Sequence, residues 1–439
     1  MSRSVFVETY GCQMNEADSE LMLGLLRHRG FRVAATADEA DVVLLNTCAV
    51  RERAEERIFG RLGWLKSMKA AKPGMVLGVT GCMAERMREQ LVERAPYVDL
   101  VIGPDAYRRL PDLIDQARTV DADDPLIDVR LDRAETYQGV QVERAPGISG
   151  WVTIMRGCDK FCTFCIVPFV RGRERSLPPE EVVAEVTAMA ATGFREVTLL
   201  GQTVSSYYER GRDFADLLRV VHEVPGLSRI RYTSPYPNDF SDRLLDTLAD
   251  LPKVGKYIHL PVQSGSTRIL KDMRRGYTAD GYRALVDRIR TKLPGHALST
   301  DIIVGYPGET DADFEATMAL LADLRFDSAF TFAYSEREGT FAARSRPDDV
   351  PAGVKGERLQ AVIALQERIS HERYTALVGQ EVELLLSGRS RKNEACLIGR
   401  TSCFKTAVLA PGPYKEGDLV RARVTDATSH TLFAEAVAP

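Results

Sequence analysis

The sequence has no run of 18 consecutive apolar residues, so it predicts no transmembrane helix. Its first residues, "MSRSVFVETYG", lead directly into a strand-like segment without the apolar core of a signal peptide, and we therefore expect a cytoplasmic protein. The formal net charge is only −4, which excludes overall charge as an argument for nucleic-acid binding. Any such binding has to depend on local basic patches.

Cysteine occurs eight times, but never as a close group of four. Structural disulfides are rare in the cytoplasm, so these residues are better candidates for metal or redox chemistry. The stretch "RGCDKFCTFC" places Cys158, Cys162 and Cys165 in a C-x3-C-x2-C pattern, and His222 is the nearest histidine along the chain. A structural zinc site would need a fourth ligand. A 4Fe-4S cluster held by three cysteines instead keeps one iron open for a small molecule.

Residues 1–118 alternate strand-like and helical segments, which predicts a doubly wound, mostly parallel α/β domain. Cys12, Cys48 and Cys82 each follow one of its first three strands. The carboxyl ends of parallel strands form one crevice, so we expect these thiols to meet there as a second three-cysteine metal site. The alternative is that each is a small buried apolar residue.

Three further segments follow. Residues 119–147 are acidic and then loop-like, which indicates a connector. Residues 148–376 contain six strand–helix units and predict a parallel barrel, closed or partial, with its site at the carboxyl ends of the strands. Residues 377–439 read as short strands separated by turns and predict a five-stranded barrel or sandwich.

C-x3-C-x2-C at the start of an α/β barrel resembles the radical S-adenosylmethionine (SAM) superfamily. Further motifs extend the resemblance over nearly the whole chain and are similar to the methylthiotransferases, most of all to the tRNA-modifying MiaB type. They are "TYGCQMNEADSE", "LNTCAVRERA", "TGCMAER", "SGWVTIMRGCDKFCTFCIVPFVRGRE", "LLGQTV", "LPVQSGS", "DIIVGYPGET" and "SRKN…GRT". The resemblance implies an N-terminal methylthiotransferase domain, a radical-SAM partial (β/α)6 barrel and a small all-β TRAM barrel.

The resemblance also implies two 4Fe-4S clusters. Cys158, Cys162 and Cys165 would hold the cluster that binds and cleaves SAM, and Cys12, Cys48 and Cys82 would hold a sulfur-donating one. The candidate SAM contacts are Phe164, Gln202, Gln263, Ser264, Asp301, Val304 and Gly305, and the alternative role of the polar ones among them is ordinary strand-end capping. One position departs from the family: Thr203 replaces the asparagine of the usual "GQNV".

The reaction implied is addition of a methylthio group to carbon 2 of N6-isopentenyladenosine at tRNA position 37. That carbon carries an unactivated C–H bond, for which a carbon radical is suited and acid–base chemistry is not. One SAM would supply the methyl group and a second the 5′-deoxyadenosyl radical. The expected partners are the tRNA anticodon stem-loop, an electron donor such as a flavodoxin-type protein and iron–sulfur carrier proteins. We expect a monomer that does not bind a membrane.

Two basic patches are candidate RNA contacts. "VRGRERS" contains Arg171, Arg173 and Arg175, and "GRSRKN" contains Arg389, Arg391 and Lys392. Phosphate binding needs such patches, and small β-barrels commonly bind nucleic acid. Each patch alone fits a solvated turn equally well, but the TRAM resemblance favours RNA. Cys396 and Cys403 have no further ligand nearby and are interpreted as small core or surface residues.

Three alternatives remain. A sister methylthiotransferase modifies an aspartate of a ribosomal protein, and another modifies threonylcarbamoyl-adenosine in tRNA. Their motifs usually resemble "LGCPKN" and "LGCKVN", whereas this chain has "YGCQMN". The third alternative is a non-catalytic iron–sulfur protein that binds RNA and senses oxygen or iron. Cleavage of SAM to 5′-deoxyadenosine would distinguish an enzyme from such a sensor.

Overall fold

The computed structural model describes residues 3–49, 52–119 and 124–437. Within these ranges, none of the helices combines the length and the apolar character that crossing a bilayer requires. The chain forms an N-terminal α/β domain, a central barrel and a C-terminal barrel, in the order that the sequence predicts.

The N-terminal domain is a six-stranded, fully parallel sheet in the order β2-β1-β3-β4-β5-β6. Strands β3 and β4 are buried along their whole length, and two separate apolar clusters pack around the sheet. This confirms the predicted doubly wound domain. The strands are β1 (Ser4–Thr9), β2 (Arg32–Val33), β3 (Val42–Thr47), β4 (Val76–Gly81), β5 (Leu100–Ile102) and β6 (Leu126–Asp128). The helices are α1 (Gln13–His28), α2 (Glu52–Ala71), α3 (Cys82–Met87), α4 (Glu89–Arg94) and α5 (Leu110–Ala117).

Strand β6 comes from the segment that the sequence predicts as a connector. It pairs in parallel with β5 and adds an edge strand to the sheet. Asp128 of this strand is held by Arg109, whose Nε and Nη2 atoms lie 2.6 and 2.9 Å from the two carboxylate oxygens. The connector therefore begins as part of the N-terminal domain.

The central barrel consists of two three-stranded parallel sheets, β7-β10-β13 and β14-β15-β16. A single bridge between Ile230 and Val254 joins them, so the barrel is partial and β7 and β16 are its outer strands. All six predicted strands are present, which confirms the predicted partial barrel. They are β7 (Ser149–Thr153), β10 (Glu196–Leu200), β13 (Arg229–Tyr232), β14 (Tyr257–His259), β15 (Ala297–Val304) and β16 (Ser328–Ala333). Short strands are β8 (Met155–Arg156), β9 (Arg175–Ser176), β11 (Tyr208–Glu209) and β12 (Arg212–Asp213).

Most of the helices pack on the outside of the barrel, and six of them begin at a residue whose side chain caps the first turn. Thr310 and Asp313 form a reciprocal capping box at the start of α12, and Asp213 and Asp216 do the same for α8. The helices are α6 (Val167–Val170), α7 (Pro179–Ala191), α8 (Phe214–His222), α9 (Asp242–Asp250), α10 (Thr267–Asp272), α11 (Ala279–Lys292), α12 (Asp311–Leu324), α13 (Phe341–Ser345) and α14 (Ala352–Thr375).

The C-terminal barrel is closed, with strand order β17-β18-β19-β21-β20, as the sequence predicts. Its connection between β18 and β19 packs on the central barrel: the guanidinium of Arg231 donates to the carbonyl of Thr401, and Lys405 pairs with Asp327 at 2.6 Å. The two barrels are thus joined by buried polar contacts. The strands are β17 (Glu381–Ser390), β18 (Asn393–Thr401), β19 (Thr406–Leu409), β20 (Leu419–Ala427) and β21 (Thr431–Ala436).

Candidate functional site

The three N-terminal cysteines stand at the carboxyl ends of adjacent strands. Cys12 follows β1 and caps α1, Cys48 follows β3, and Cys82 opens α3 directly after β4. Gly11 has a φ of +137°, and a Cβ on it would lie 2.8 Å from the Cβ of Cys48. Only glycine therefore allows the β1 loop to pass this close to Cys48. The crevice lies between β1 and β3, where the strand order of the sheet reverses.

The central cysteines lie in the loop between β8 and α6. The amide side chain of Gln202 shapes this loop, because its Oε1 accepts a 2.6 Å hydrogen bond from the backbone N–H of Gly157. The sulfur of Cys158 is 3.2 Å from the hydroxyl of Thr203. The sulfur of Cys162 lies 3.2 Å from Nη1 of Arg275, whose side chain is buried.

Both sets of cysteines face the same space. A cavity of about 210 Å³ is lined by five of the six: Cys12, Cys48, Cys82, Cys158 and Cys165. Asn15 and Arg171 also line it, and Ile166, Val167 and Val170 form an apolar wall. Cysteines of both sets therefore open onto one cavity.

A buried ion network holds the N-terminal domain against the barrel at this cavity. Asp18 on α1 is fully buried and accepts from Arg156 at 2.7 Å and from Arg171 at 2.8 Å. Arg171 reaches further, and its Nε lies 3.1 Å from the sulfur of Cys82. Nearby, Arg175 binds both carboxylate oxygens of Asp105. The orientation of the two domains is fixed by these charge-assisted hydrogen bonds.

The thiols are poor acids on their own. Burial raises the pKa of Cys82 to about 12, although Arg171 acts to lower it, and burial likewise raises the pKa of Cys165 to about 12. A bound metal overcomes this increase in pKa, because a coordinating thiol is deprotonated outright. Within residues 3–49, 52–119 and 124–437, no group of three His, Cys, Asp or Glu side chains converges closely enough for a single ion. An iron–sulfur cluster fits such a donor set better, since each thiolate binds a different iron.

A second cavity, of about 300 Å³, adjoins the first through Cys165, Ile166 and Val167. Three of the predicted SAM contacts, Phe164, Gln263 and Asp301, line it together with Ile303, Phe332 and Tyr334. Gln263 has a φ of +78°, which is strained for a residue other than glycine and is typical of functional sites. The cavity is mostly apolar and carries few polar groups, as small-molecule sites usually do.

The remaining predicted SAM contacts lie elsewhere. Gln202 lines the cysteine cavity and holds the loop of Gly157. Ser264 is fully buried beside Thr317, Val304 is buried, and the N–H of Gly305 donates to Glu309. None of these three residues lines the 300 Å³ cavity, and for Val304 the reason is that side chains alternate along β15, so it points away from the face that carries Asp301 and Ile303.

The predicted RNA contacts fall into two groups: two of the arginines are buried, and the other four residues are exposed. The prediction for Arg171 is wrong, because the side chain is 4 % exposed and pairs with Asp18 and Cys82. Arg175 is likewise buried, because its guanidinium group pairs with the Asp105 carboxylate. Arg173 is exposed and pairs with Asp159. Arg389, Arg391 and Lys392 lie where the β17–β18 hairpin turns.

Cys396 and Cys403 are half-buried free thiols.

Several side chains at the cavity were not predicted as functional residues. Asn15 and Asp18 lie on the buried face of α1, next to the apolar Met14 and Ala17. Polar residues on an otherwise apolar helix face are a sequence signal that could have marked both as functional residues. The sequence around Arg275 contains no comparable pattern that would have marked it as a functional residue. The hydroxyl of Thr203 contacts a cysteine sulfur, so the replacement of the family's asparagine keeps a polar group at this place.

Three family profiles match the chain. They are the uncharacterized protein family UPF0004 over residues 4–103, the radical SAM superfamily over 152–321 and the TRAM domain over 375–437. Among solved structures, the radical SAM methyltransferase TsrM from Kitasatospora setae matches with a TM-score of 0.61 at 16 % identity, covering 78 % of this chain and 77 % of that one. The cobalamin-dependent SAM radical enzyme OxsB matches at 0.55 and 13 %, covering 83 % and 56 %. These likenesses show the fold.

The fold and the profile together define a radical SAM enzyme of the transferase class. Curated tRNA-2-methylthio-N(6)-dimethylallyladenosine synthases are similar over the full length: that of Phocaeicola vulgatus is 46 % identical over 99 % of this chain and 96 % of its own. That of Moorella thermoacetica is 46 % identical over 98 % and 97 %. The chain belongs to this family of tRNA methylthiotransferases.

Proposed function

We propose that this protein adds a methylthio group to carbon 2 of the adenine of N6-isopentenyladenosine at position 37 of tRNA. The observation that carries the proposal is the cavity lined by five cysteines from two domains, directly beside a second cavity of cofactor size. Sequence identity of about 45 % to enzymes named for this product supports the substrate class. The motif "YGCQMN", in place of "LGCPKN" or "LGCKVN", disfavours the sister reactions on a ribosomal protein or on threonylcarbamoyl-adenosine.

In this proposal each set of three cysteines holds one 4Fe-4S cluster with an open iron. Cys158, Cys162 and Cys165 hold the cluster next to the 300 Å³ cavity, and Cys12, Cys48 and Cys82 hold the other. When bound there and reduced, such a cluster would supply the electron that cleaves SAM to a carbon radical, a species able to take hydrogen from an unactivated C–H bond. Two positive side chains, Arg171 and Arg275, lie against the sulfurs of Cys82 and Cys162 and offset the negative charge of the thiolates.

The second cavity is the proposed SAM site. Phe164 and Phe332 offer apolar surface for the adenine, and Asp301 and Gln263 offer acceptors and donors for its polar groups. Ile166 and Val167 border both cavities and limit the water between them. The side chains of this wall thereby protect a reactive species from solvent on its way to the substrate.

Further partners are proposed on the same basis. The C-terminal barrel and Arg173 bind the anticodon stem-loop, a flavodoxin-type protein supplies electrons, and carrier proteins deliver the clusters. The enzyme acts as a monomer. SAM serves twice, as the methyl donor and as the source of the radical.

The deciding experiment is mass spectrometry of tRNA nucleosides from cells with and without the gene. We expect loss of methylthio-isopentenyladenosine and accumulation of isopentenyladenosine in the deletion strain. Complementation with the wild-type gene restores the product, whereas a Cys158→Ala gene, which is matched in expression, does not. Unchanged tRNA together with loss of a methylthio group from a ribosomal protein would contradict the substrate assignment.

Iron counting tests the two-cluster assignment independently of activity. The anaerobically reconstituted protein should bind about eight irons, as two four-iron clusters require. The triple variant Cys12→Ala, Cys48→Ala, Cys82→Ala should bind about four and still cleave SAM. A double variant of Cys396 and Cys403, which lie outside both cavities, should keep all eight. About four irons in the wild-type protein would refute the second cluster.

A further inference from the structure

Aromatic side chains continue along the inner face of the barrel beyond the proposed SAM cavity. Strand β16 is an outer strand of the partial barrel, and Phe332 on it lines the 300 Å³ cavity. Because side chains alternate along a strand, Phe330 lies on the same face two residues away. Its side chain is 54 % exposed, a large fraction for an aromatic residue on a concave face. The ring therefore has room for a flat partner.

Neighbouring groups hold Phe330 in place and link it to the cavity. The ring of His259 meets it edge-on, with the ring centroids 5.6 Å apart. Nε2 of the same histidine lies 3.4 Å from the Asp301 carboxylate at the border of the cavity, and Nδ1 lies 2.8 Å from the hydroxyl of Ser299. Phe330 is thus part of an ordered row of side chains.

The row ends on the C-terminal barrel. Tyr257, two residues before His259 on β14, lies against Phe404 with the centroids 5.0 Å apart and the planes 31° apart. The guanidinium groups of Arg400 and Arg231 lie 4.1 and 4.6 Å from the centroid of the same Phe404 ring. Arg400 is exposed, so positive charge is available to a ligand at this end.

We propose that this aromatic row (Phe330, His259, Tyr257 and Phe404) binds the unpaired nucleotides that flank the modified adenosine, and that Phe330 stacks on the adjacent base. The inference rests on the proposed function, because it takes the target adenosine to lie beside the 300 Å³ cavity. Continuity with that cavity and the cationic end at Arg400 argue for a single-stranded polyanion. Unpaired RNA is recognised by stacking on aromatic side chains, and phosphates are bound by arginine.

The first test measures binding of an anticodon stem-loop that carries isopentenyladenosine to the anaerobic, cluster-loaded protein. Phe330→Ala should raise the dissociation constant about 5- to 150-fold, the range expected for loss of one base–aromatic stack. Phe330→Tyr keeps a ring and should stay within about twofold of wild type. Tyr208→Ala is the matched control, since Tyr208 is 65 % exposed on the separate β11–β12 hairpin and should change nothing.

The second test asks which nucleotide Phe330 contacts. Two stem-loops are compared, each with an abasic site on one side of the target adenosine. One of the two should bind the wild-type protein more weakly than the intact stem-loop does. The same abasic RNA should bind Phe330→Ala no more weakly than intact RNA does, because the stack is already lost. This non-additivity is the sign of direct contact. Additive losses at both positions would overturn the assignment of the base.

The outcomes separate the inference from the function on which it rests. If wild type forms the methylthio product but Phe330→Ala binds RNA like Tyr208→Ala, the aromatic row is not the RNA site. If Phe330→Ala loses affinity for SAM instead of for RNA, the residue belongs to the cofactor site and the inference is wrong. If wild type forms no product on this RNA, the proposed function fails, whatever Phe330 does.

Discussion

The Nε atom of Arg171 in the central barrel lies 3.1 Å from the sulfur of Cys82 in the N-terminal domain. The same guanidinium group binds the Asp18 carboxylate at 2.8 Å, and all three side chains are buried. One arginine thus connects a candidate cluster ligand of one domain to the loop that follows the cysteines of the other. The relative position of the two candidate clusters depends on this contact.

Replacing Arg171 tests whether it is a structural link or an RNA contact. Arg171→Ala leaves the Asp18 carboxylate with one buried partner fewer, and removing one partner of a buried pair typically costs about 3–5 kcal/mol. We expect a lower midpoint in denaturant unfolding and a lower iron content after reconstitution, because Cys82 loses the positive charge beside it. Arg173→Ala, two residues away and exposed, is the control and should unfold like wild type. Normal stability of Arg171→Ala with weakened RNA binding would restore the original prediction.

Thr203 offers a test of how the protein tunes the cluster proposed at the central cysteines. Its hydroxyl lies 3.2 Å from the sulfur of Cys158, and hydrogen bonds to the sulfurs are among the factors that set the reduction potential of a cluster. A donated hydrogen bond stabilises the more negative, reduced state. Thr203→Val should therefore lower the potential by roughly 40 mV, the one-electron equivalent of a net hydrogen bond of about 1 kcal/mol.

The measurement for Thr203 is a redox titration followed by electron paramagnetic resonance. Thr203→Ser keeps the hydroxyl and should return the potential to that of wild type. Thr203→Asn restores the residue usual in the family and tests whether an amide can replace the hydroxyl. An unchanged potential in Thr203→Val would show that the contact with Cys158 has no electrostatic role.

The sequence predicted the architecture because each element is delimited locally. Alternating strand and helix segments, ended by glycine and capping residues, gave all six barrel strands and the closed C-terminal barrel. Strand β6 was missed because it lies at an edge of the sheet, in a segment without clear periodicity. Its pairing with β5 is a tertiary contact that no local pattern indicates.

The site was harder to predict for a different reason. The sequence motifs identified Asp301 and Gln263, which line the second cavity, but they could not tell them from Ser264 and Val304, which are buried away from it. The direction of a side chain depends on register, which the motif does not fix. Arg171 looked like a surface residue because its partners are far away in sequence.

A group of charges at the domain interface predicts a pH dependence of stability. Burial raises the pKa of Glu20 to about 7, although Arg144 between Glu20 and Glu185 acts to lower it. Burial also raises the pKa of Glu185. Between about pH 4.5 and 7 the folded protein therefore binds more protons here than the unfolded chain does, and its stability falls as the pH rises through this window.

Glu20→Gln removes one of these titrations and should flatten the slope. Between pH 5 and pH 8 the unfolding free energy of the wild type should fall by on the order of 2 kcal/mol more than that of the variant. Urea unfolding at both pH values measures the difference. Glu93→Gln, an exposed position on α4 that is not among the charges acting on Glu20, is the control and should keep the slope of the wild type. Parallel slopes for wild type and Glu20→Gln would contradict the assignment.

The hairpin turn of the C-terminal barrel predicts a salt-dependent part of tRNA binding. Arg391 and Lys392 are exposed at the turn, and Arg389 beside them donates to the carbonyl of Glu394. Each phosphate contact adds about 0.7 to 0.9 to the slope of log affinity against log salt. Replacing all three by alanine should therefore weaken binding at low salt and reduce the slope by up to about 2 to 3.

Filter binding or fluorescence anisotropy of labelled tRNA at four salt concentrations gives both quantities. The control is the pair Arg421→Ala and Arg423→Ala on β20, because both arginines are exposed on the same barrel but are already paired with Glu381. Their slope should stay close to that of the wild type, since a paired guanidinium releases few counterions. If the triple variant keeps both the affinity and the slope of the wild type, RNA does not bind at this turn and the basic contacts have to be sought elsewhere.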